Sequence, residues 1–159
     1  MIKVGEKIPS VTLMQMTAKG PAPVTTEELF EKKKVVMFAL PGAFTPTCSA
    51  RHLPGFVDHA AEFSKKGIDG VVCLSVNDAF VMGAWGEKQN AEGKVQMIAD
   101  GNGELTKKLG LEMDASKFGM GLRSQRYAIV VEDMVVKNLE VEAPGDFKVS
   151  SAEHVLGLL

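Results

Sequence analysis

The sequence predicts an α/β fold: a central mixed sheet with helices on both faces. Three observations predict it. Short, unbroken apolar runs at 35–40, 71–76, 95–99 and 127–131 read as strands buried on both sides. Stretches with helical spacing or capping signals lie between the first three of these runs. The chain then closes with two strands joined by a tight turn and a last helix. Its 159 residues suit one domain spanning 1–159, large enough to bury a core without covalent staples.

Residues 1–24 read as irregular or hairpin-like, turning at Lys19-Gly20-Pro21. Thr25-Thr26-Glu27-Glu28 is a capping box that opens a short helix toward Phe30. Val35 to Leu40 is rich in β-branched and bulky residues. It halts at Pro41-Gly42, because proline has no N–H for a central ladder. Beyond Cys48, Phe56, Ala60 and Phe63 fall at i, i+4 and i+7, and Lys65-Lys66-Gly67 marks a helix end. Val71 to Val76 is the second strand. Asn77 and Asp78 are N-cap candidates for a helix whose apolar stripe reads Phe80, Val81, Ala84 and Trp85. Val95 to Ala99 closes at Asp100-Gly101, and Asn102 is expected to cap a short helix ending at Gly110. Tyr127 to Val131 and Val135 to Val141 form a hairpin through Glu132-Asp133. Ser150-x-x-Glu153 reads as a second capping box, opening a C-terminal helix. This order, β-α-β early and β-β-α late, fits a thioredoxin-like topology.

Composition narrows the function. Apolar residues at 45% and charged residues at 24% exclude a wholly disordered chain. Eighteen Lys and Arg against 20 Asp and Glu give a net charge of -2, without the basic excess of a phosphate-backbone binder. No nucleic-acid partner is therefore expected. The run Val35–Leu40 is too short to cross a bilayer, so no membrane partner is expected either. The start Met1-Ile2-Lys3-Val4-Gly5-Glu6 carries no long apolar signal region, which favours the cytoplasm, with a processed organellar form as the alternative. Two cysteines, Cys48 and Cys73, are too few for a disulfide scaffold or a cysteine zinc site. They point to a reducing compartment.

The segment that carries chemistry is Pro41-Gly42-Ala43-Phe44-Thr45-Pro46-Thr47-Cys48-Ser49, between a predicted strand and a predicted helix. A cysteine in a first helical turn feels the positive end of the dipole and free backbone N–H groups, and both favour thiolate over thiol. The thiolate is the nucleophile. Pro41 and Pro46 restrict the loop. Thr45 stands three residues before Cys48, in place of the first cysteine of a C-x-x-C, and its hydroxyl can face the sulfur or a substrate oxygen. A single attacking sulfur replaces a dithiol.

The stretch 41–49 resembles the active-site signature of the peroxiredoxins, Pro-x-x-x-Thr-x-x-Cys, in the wording of their type-five or plant type II subfamily. Leu53-Pro54-Gly55-Phe56, the stretch from Cys73 to Met82, and Gly121 to Tyr127 agree as well, so the resemblance runs from about residue 2 to the C-terminus. It implies a thioredoxin-like fold and a thiol-dependent peroxidase for hydrogen peroxide and alkyl hydroperoxides, with no metal or organic cofactor. Cys48 matches the peroxidatic cysteine that becomes a sulfenic acid. Thr45 matches the threonine that bonds peroxide and thiolate, Pro41 the shielding proline, and Arg126 the arginine that stabilises the thiolate and polarises the peroxide. The N–H groups of Thr47 and Cys48 would cradle the peroxide oxygens. This fits the chemistry, since fixed donors stabilise the charge that builds on the leaving oxygen.

Many type-five members carry a resolving cysteine near the C-terminus. Phe147-Lys148-Val149-Ser150-Ser151-Ala152 has none, which leaves Cys73 as the internal candidate. A disulfide needs Cα atoms within about 7 Å, and a helix start and a mid-strand position would meet only after local unfolding. The resolving reductant expected is therefore an external thiol: glutathione with glutaredoxin first, thioredoxin second. The resemblance also implies a homodimer through the 41–47 loop and the loop from Asp114 to Arg123.

Plainer readings compete at several positions. Cys73, between Val72 and Leu74, favours packing over catalysis. His52 shares a helical face with Cys48 and could pair with it or with a metal; the preferred reading is a polar first-turn residue shaping the pocket. His59 and His154 read as solvated, Gly101-x-Gly103 as a turn, and Lys32-Lys33-Lys34 as a solvated helix end. Met120 is placed at the pocket mouth. Alternative functions are a peroxide sensor, relay or holdase passing oxidation to partner proteins, a protein-disulfide oxidoreductase, and a structural binding domain with an unreactive Cys48.

Overall fold

A computed structural model describes residues 1–159. The hairpin β1 (Thr12–Thr17) and β2 (Gly20–Thr25) leads into α1 (Thr26–Phe30) and β3 (Lys34–Ala39). A π-helical turn (Cys48–His52) continues into α2 (Leu53–Asp58) and α3 (Ala60–Lys65). Next come β4 (Gly70–Ser75), α4 (Ala79–Lys88), β5 (Gln96–Ala99) and α5 (Glu104–Leu109). A short pair, β6 (Glu112–Asp114) and β7 (Leu122–Ser124), precedes β8 (Tyr127–Glu132), β9 (Val135–Val141) and α6 (Ala152–Leu156).

Seven strands form one sheet in the order β2-β1-β5-β4-β3-β8-β9. The inner pairs β3–β4 and β4–β5 are parallel, and β3–β8, β8–β9, β1–β5 and β1–β2 are antiparallel. This is the expected mixed sheet of a thioredoxin-like fold, with helices on both faces.

The alternation of side chains along a strand divides the core in two. Val36 and Phe38 of β3, Cys73 of β4, and Ala128 and Val130 of β8 pack with Phe56, Phe63, Met82, Trp85 and Val155 from α2, α3, α4 and α6. Val35, Met37 and Ala39, with Leu74 and Ile129, pack on the other side with Leu29, Phe30, Leu105 and Leu109 from α1 and α5. Strands covered on both faces must be apolar at every position, which explains the unbroken runs in the sequence.

Local signals held where their hydrogen bonds are local. The Thr25 hydroxyl accepts from the Glu28 N–H at 3.1 Å, and the Glu28 carboxylate accepts from the Thr25 N–H at 3.4 Å. Asp78 caps α4, accepting from the Val81 N–H at 2.8 Å. The hairpin turn at Asp133 and Met134 holds both residues at positive φ, as a tight primed turn requires.

Four expectations fail. The buried face of α4 is Ala79, Met82, Trp85 and Gly86, whereas Phe80 and Ala84 of the expected stripe are exposed. Only Trp85 of that stripe is buried, because α4 packs against β1 and β5 with its small residues: a Cβ on Gly83 would strike Met16, and one on Gly86 would strike Met97. Asn102 does not cap α5. Gly103 occupies the cap in the left-handed region, and the buried Asp100 carboxylate accepts from Leu105 N–H, Thr106 N–H and the Thr106 hydroxyl. Ser150 does not form a capping box with Glu153; Ser151 caps α6 through the His154 N–H, and Ser150 turns inward. The helix expected after Cys48 is interrupted at His59, so Phe56 and Phe63 are buried from two short helices and Ala60 is only half-buried.

Asp100 therefore carries the start of α5 from inside the protein. Replacing it by alanine orphans two backbone donors and a hydroxyl, and Asp100→Ala is expected to cost about 2–3 kcal/mol, read from the urea unfolding midpoint.

Candidate active site

The site forms where β3 ends. Pro41-Gly42 leaves the sheet, and the loop is pinned from the neighbouring strand end. The Ala43 N–H and the Ser75 hydroxyl both donate to Asn77 Oδ1, at 3.0 and 2.7 Å. Asn77, an N-cap candidate by sequence, is thus a loop anchor. Gly42 is packed closely: a Cβ there would lie 3.2 Å from Arg123 Nη1 and 3.3 Å from Thr45 Cγ2. Phe44 is held at φ 65°, a conformation that costs a non-glycine residue strain and recurs at functional loops. From the other side, Trp85 Nε1 donates to the Ser49 hydroxyl at 3.1 Å and Gln89 Nε2 to the Ser49 carbonyl at 3.1 Å. The residue after Cys48 is therefore clasped by α4.

Cys48 is fully buried and opens a π-helical turn, closed by the Leu53 N–H donating to the Cys48 carbonyl. The sequence led to an α-helical first turn; π turns are rarer and recur at functional sites. The N–H groups of Thr47 and Cys48 meet no protein acceptor. Arg126, immediately before β8, donates from Nη2 to Cys48 Sγ at 3.2 Å. Thr45 lines the same cavity, where its hydroxyl donates to the Gly42 carbonyl at 2.7 Å and makes no hydrogen bond to the sulfur.

His52 departs most from expectation. It is not an ordinary polar first-turn residue but is fully buried. Its Nδ1 lies 2.8 Å from Arg126 Nη1, and its Nε2 lies 2.9 Å from the Ser150 carbonyl. A guanidinium only donates and a carbonyl only accepts, so Nδ1 is bare and Nε2 carries the proton. Burial, then the Arg126 charge, holds the imidazole neutral, its pKa pushed down to about 3. Ser150 is itself clipped: its N–H and hydroxyl donate to Glu142 Oε2 at 2.9 and 2.7 Å, as does the Lys148 N–H at 2.6 Å. Burial opposes ionisation of Glu142, but these hydrogen bonds outweigh it and hold the carboxyl below its usual range. The sequence did hold one signal, a histidine four residues after the cysteine. Its partner lies 74 residues away, beyond the reach of local pattern.

A cavity of about 630 Å³ opens above this arrangement. Pro41, Thr45, Thr47 and Arg126 line it, together with Met120, Phe118 and Ala115 from the 114–123 loop and Glu142 and Asp146 opposite. The structure thus gathers four predicted residues on one cavity, with Cys48 reached through Arg126. Cys73 stands apart from the cavity, in β4, fully buried and in register with Phe38 and Met97. Burial, then the neighbouring Cys48, pushes its thiol up, well above the ordinary cysteine value. His59 and His154 face carboxylates at the surface, Glu62 and Glu140 respectively.

A family model described as Redoxin matches residues 3–156. Rice Peroxiredoxin-2E-2, a chloroplastic protein, is 50% identical over 163 residues, covering 99% of this chain and 72% of its own. The chain belongs to the peroxiredoxins. Arabidopsis Peroxiredoxin-2B is 43% identical over 159 residues, covering 99% of this peroxiredoxin and 98% of its own length. Reduced Prx3 of Vibrio vulnificus, solved in complex with hydrogen peroxide, superposes with a TM-score of 0.96 at 53% identity, covering 99% of each chain. The kind is type-five or plant type II, and the activity is that of a thiol-dependent peroxidase.

The depressed His52 value makes stability depend on pH. The unfolded imidazole takes a proton near pH 6.5, whereas the folded one resists until about 3. Between these values the unfolded state binds more protons, so stability falls as pH drops, by up to about 1.4 kcal/mol per pH unit from this group. Urea unfolding at pH 7, 5 and 4 is expected to show that loss, and His52→Asn is expected to flatten it.

Proposed function

We propose that the chain acts as one redoxin domain, 1–159, in which Cys48 is the peroxidatic cysteine. The observation that carries the reading is the Arg126 Nη2 to Cys48 Sγ hydrogen bond of 3.2 Å beside an open cavity. The Cys48 thiolate attacks the terminal oxygen of a hydroperoxide. An S–O bond forms, the O–O bond breaks, and the product is a sulfenic acid. The other oxygen departs as hydroxide or alkoxide and takes a proton from solvent. Arg126 and the free N–H groups of Thr47 and Cys48 face the charge that moves onto oxygen, and the Thr45 hydroxyl, its proton on the Gly42 carbonyl, offers a lone pair to the peroxide O–H. Pro41 covers the loop side and limits water.

The sulfenic acid is then resolved from outside. Cys73 lies in a paired, fully covered strand and its thiol is pushed well above the ordinary cysteine value, so little thiolate is on hand to resolve Cys48 from within. An external thiol displaces water to give a mixed disulfide, and a second thiol releases Cys48 as thiolate, leaving an oxidised disulfide product. Glutathione with glutaredoxin is the leading donor and thioredoxin the second. Exposed Phe44 on the active-site loop and Phe118 on the 114–123 loop support a homodimer formed along this edge. The proposed place of action is the cytoplasm, supported by two free thiols. An organellar mature form is the second placement, supported by the chloroplastic relatives of rice and Arabidopsis.

Intact-mass spectrometry after one equivalent of hydrogen peroxide tests the scheme. The parent is expected to gain one oxygen, or one glutathione in its place when glutathione is present; Cys48→Ser gains neither, and Cys73→Ser behaves as the parent. A loss of two hydrogens that needs both cysteines would instead make Cys73 the resolver. Arg126→Met, without the fixed charge, is expected to slow peroxide attack by about 100–1000-fold in stopped-flow kinetics.

A further inference from the structure

Phe147 is an aromatic side chain in a polar loop. Asp146 and Lys148 flank it, and it belongs to neither half of the hydrophobic core. Its ring instead meets three nitrogen-bearing side chains. It lies edge-on to the His52 ring, 5.0 Å between centroids, with Arg126 Cζ 6.0 Å and Arg51 Cζ 4.6 Å from its centre. We propose that Phe147 acts through Arg126 as a positioning residue: its ring keeps water off the guanidinium on a side that the cavity does not reach, and Arg51 holds the ring in place. This rests on the reading of Cys48 as the attacking sulfur.

The loop turns the ring inward. The Glu142 carboxylate accepts from the Lys148 N–H at 2.6 Å and from the Ser150 N–H at 2.9 Å, which closes the segment 142–150 around Phe147. The ring is half-buried, although Ala143, Pro144, Gly145 and Lys148 of the same segment are exposed. Arg51 is exposed as well, and its guanidinium covers the ring well inside the range of cation–π attraction, whereas Arg126 stands at the edge of that range. The ring is therefore bound mainly by Arg51, and what it gives Arg126 is an apolar neighbour. Arg51 belongs to the turn that opens with Cys48, so the cover is tied to the segment that carries the sulfur.

Water exclusion matters because Arg126 acts on the sulfur by charge. The attraction between a guanidinium and a thiolate falls roughly fourfold between a partly shielded dielectric of about 20 and the value of about 80 in bulk water. Arg126 is only half-buried, with the cavity on one side, and water admitted at Phe147 would wet it from a second. The neighbouring groups leave the positive charge to Arg126. His52 is neutral, Cys73 is pushed toward the protonated thiol, Glu142 directs its hydrogen bonds to Lys148 and Ser150, and Asp146 pairs with the Lys148 ammonium at 3.7 Å.

The test replaces Phe147 by leucine, alanine and glutamine, and Arg51 by methionine, each in a Cys73→Ser background and first checked by circular dichroism and thermal melting. Two quantities are read at Cys48: the rate of sulfenate formation with hydrogen peroxide, and the pH midpoint of alkylation by iodoacetamide at low and high salt. Phe147→Ala and Phe147→Gln are expected to lose about 5–20-fold in the peroxide rate, to raise the midpoint, and to make it climb further with salt, because a wet guanidinium holds the thiolate less and is screened more. Phe147→Leu, apolar but without a π face, is expected to stay within about twofold of the parent rate and to keep its midpoint. Arg51→Met is expected to move both readings in the alanine direction by a smaller step, about 2–3-fold in rate. A folded alanine or glutamine variant with the parent's rate and midpoint would overturn the shield; if alanine does not fold, glutamine, closer in size to the ring, carries the same reading. A leucine variant as slow as alanine would also overturn it, as would a rate loss that leaves the midpoint and its salt response unmoved. An Arg51→Met variant equal to the parent would overturn the part given to Arg51. A parent that forms no sulfenate at Cys48 would refute the peroxidase reading itself, while the alkylation midpoints would still report on the shield.

Discussion

Two hydrogen bonds from one guanidinium organise the candidate active site. Arg126 donates to Cys48 Sγ and to His52 Nδ1, joining the start of β8 to the turn that follows β3. A cation at the end of a covered sheet is costly unless its N–H groups are matched. That demand explains why a histidine is buried here, why it is neutral, and why Ser150 gives its carbonyl to the far side of the ring.

The sheet supplies what this contact needs. β3 and β8 are adjacent and antiparallel, with Ala39 opposite Tyr127, so the loop leaving β3 and the residue entering β8 emerge at the same edge. β4, on the other side of β3, places Ser75 and Asn77 beneath the loop. α4 holds Ser49 through Trp85 and Gln89. The loop is thus fixed from both sides before any substrate arrives, which is the preorganisation that electrostatic stabilisation of a leaving oxygen depends on.

The two cysteines sit in different surroundings. Both are fully buried on the same side of the sheet. Cys48 has a guanidinium donor and unpaired N–H groups beside it, next to a cavity. Cys73 is enclosed by apolar neighbours and a paired strand, and is pushed toward the protonated thiol. The C-terminal segment is likewise given over to holding: Glu142, Ser150 and Phe147 fix the ring of His52 and the position of Arg126.

The sequence by itself determined the inner strands β3, β4, β5 and β8, because segments covered on both faces are unbroken apolar runs, whereas the short pair β6 and β7 left no such run. It also determined the capping box at Thr25, the Asp78 cap, the turn at Asp133, and the segment from Pro41 to Ser49 that carries Cys48, the candidate reactive cysteine. These are local signals, read within a few residues. Only the tertiary structure decided which face of α4 is buried, that Asp100 caps α5 from the interior, that Ser150 serves Glu142 while Ser151 serves α6, and that His52 is a buried acceptor for Arg126. For His52 the partners that burial imposes, Arg126 and the Ser150 carbonyl, lie 74 and 98 residues away. Such partners prevail once burial removes water as a competitor, and sequence spacing carries no record of them.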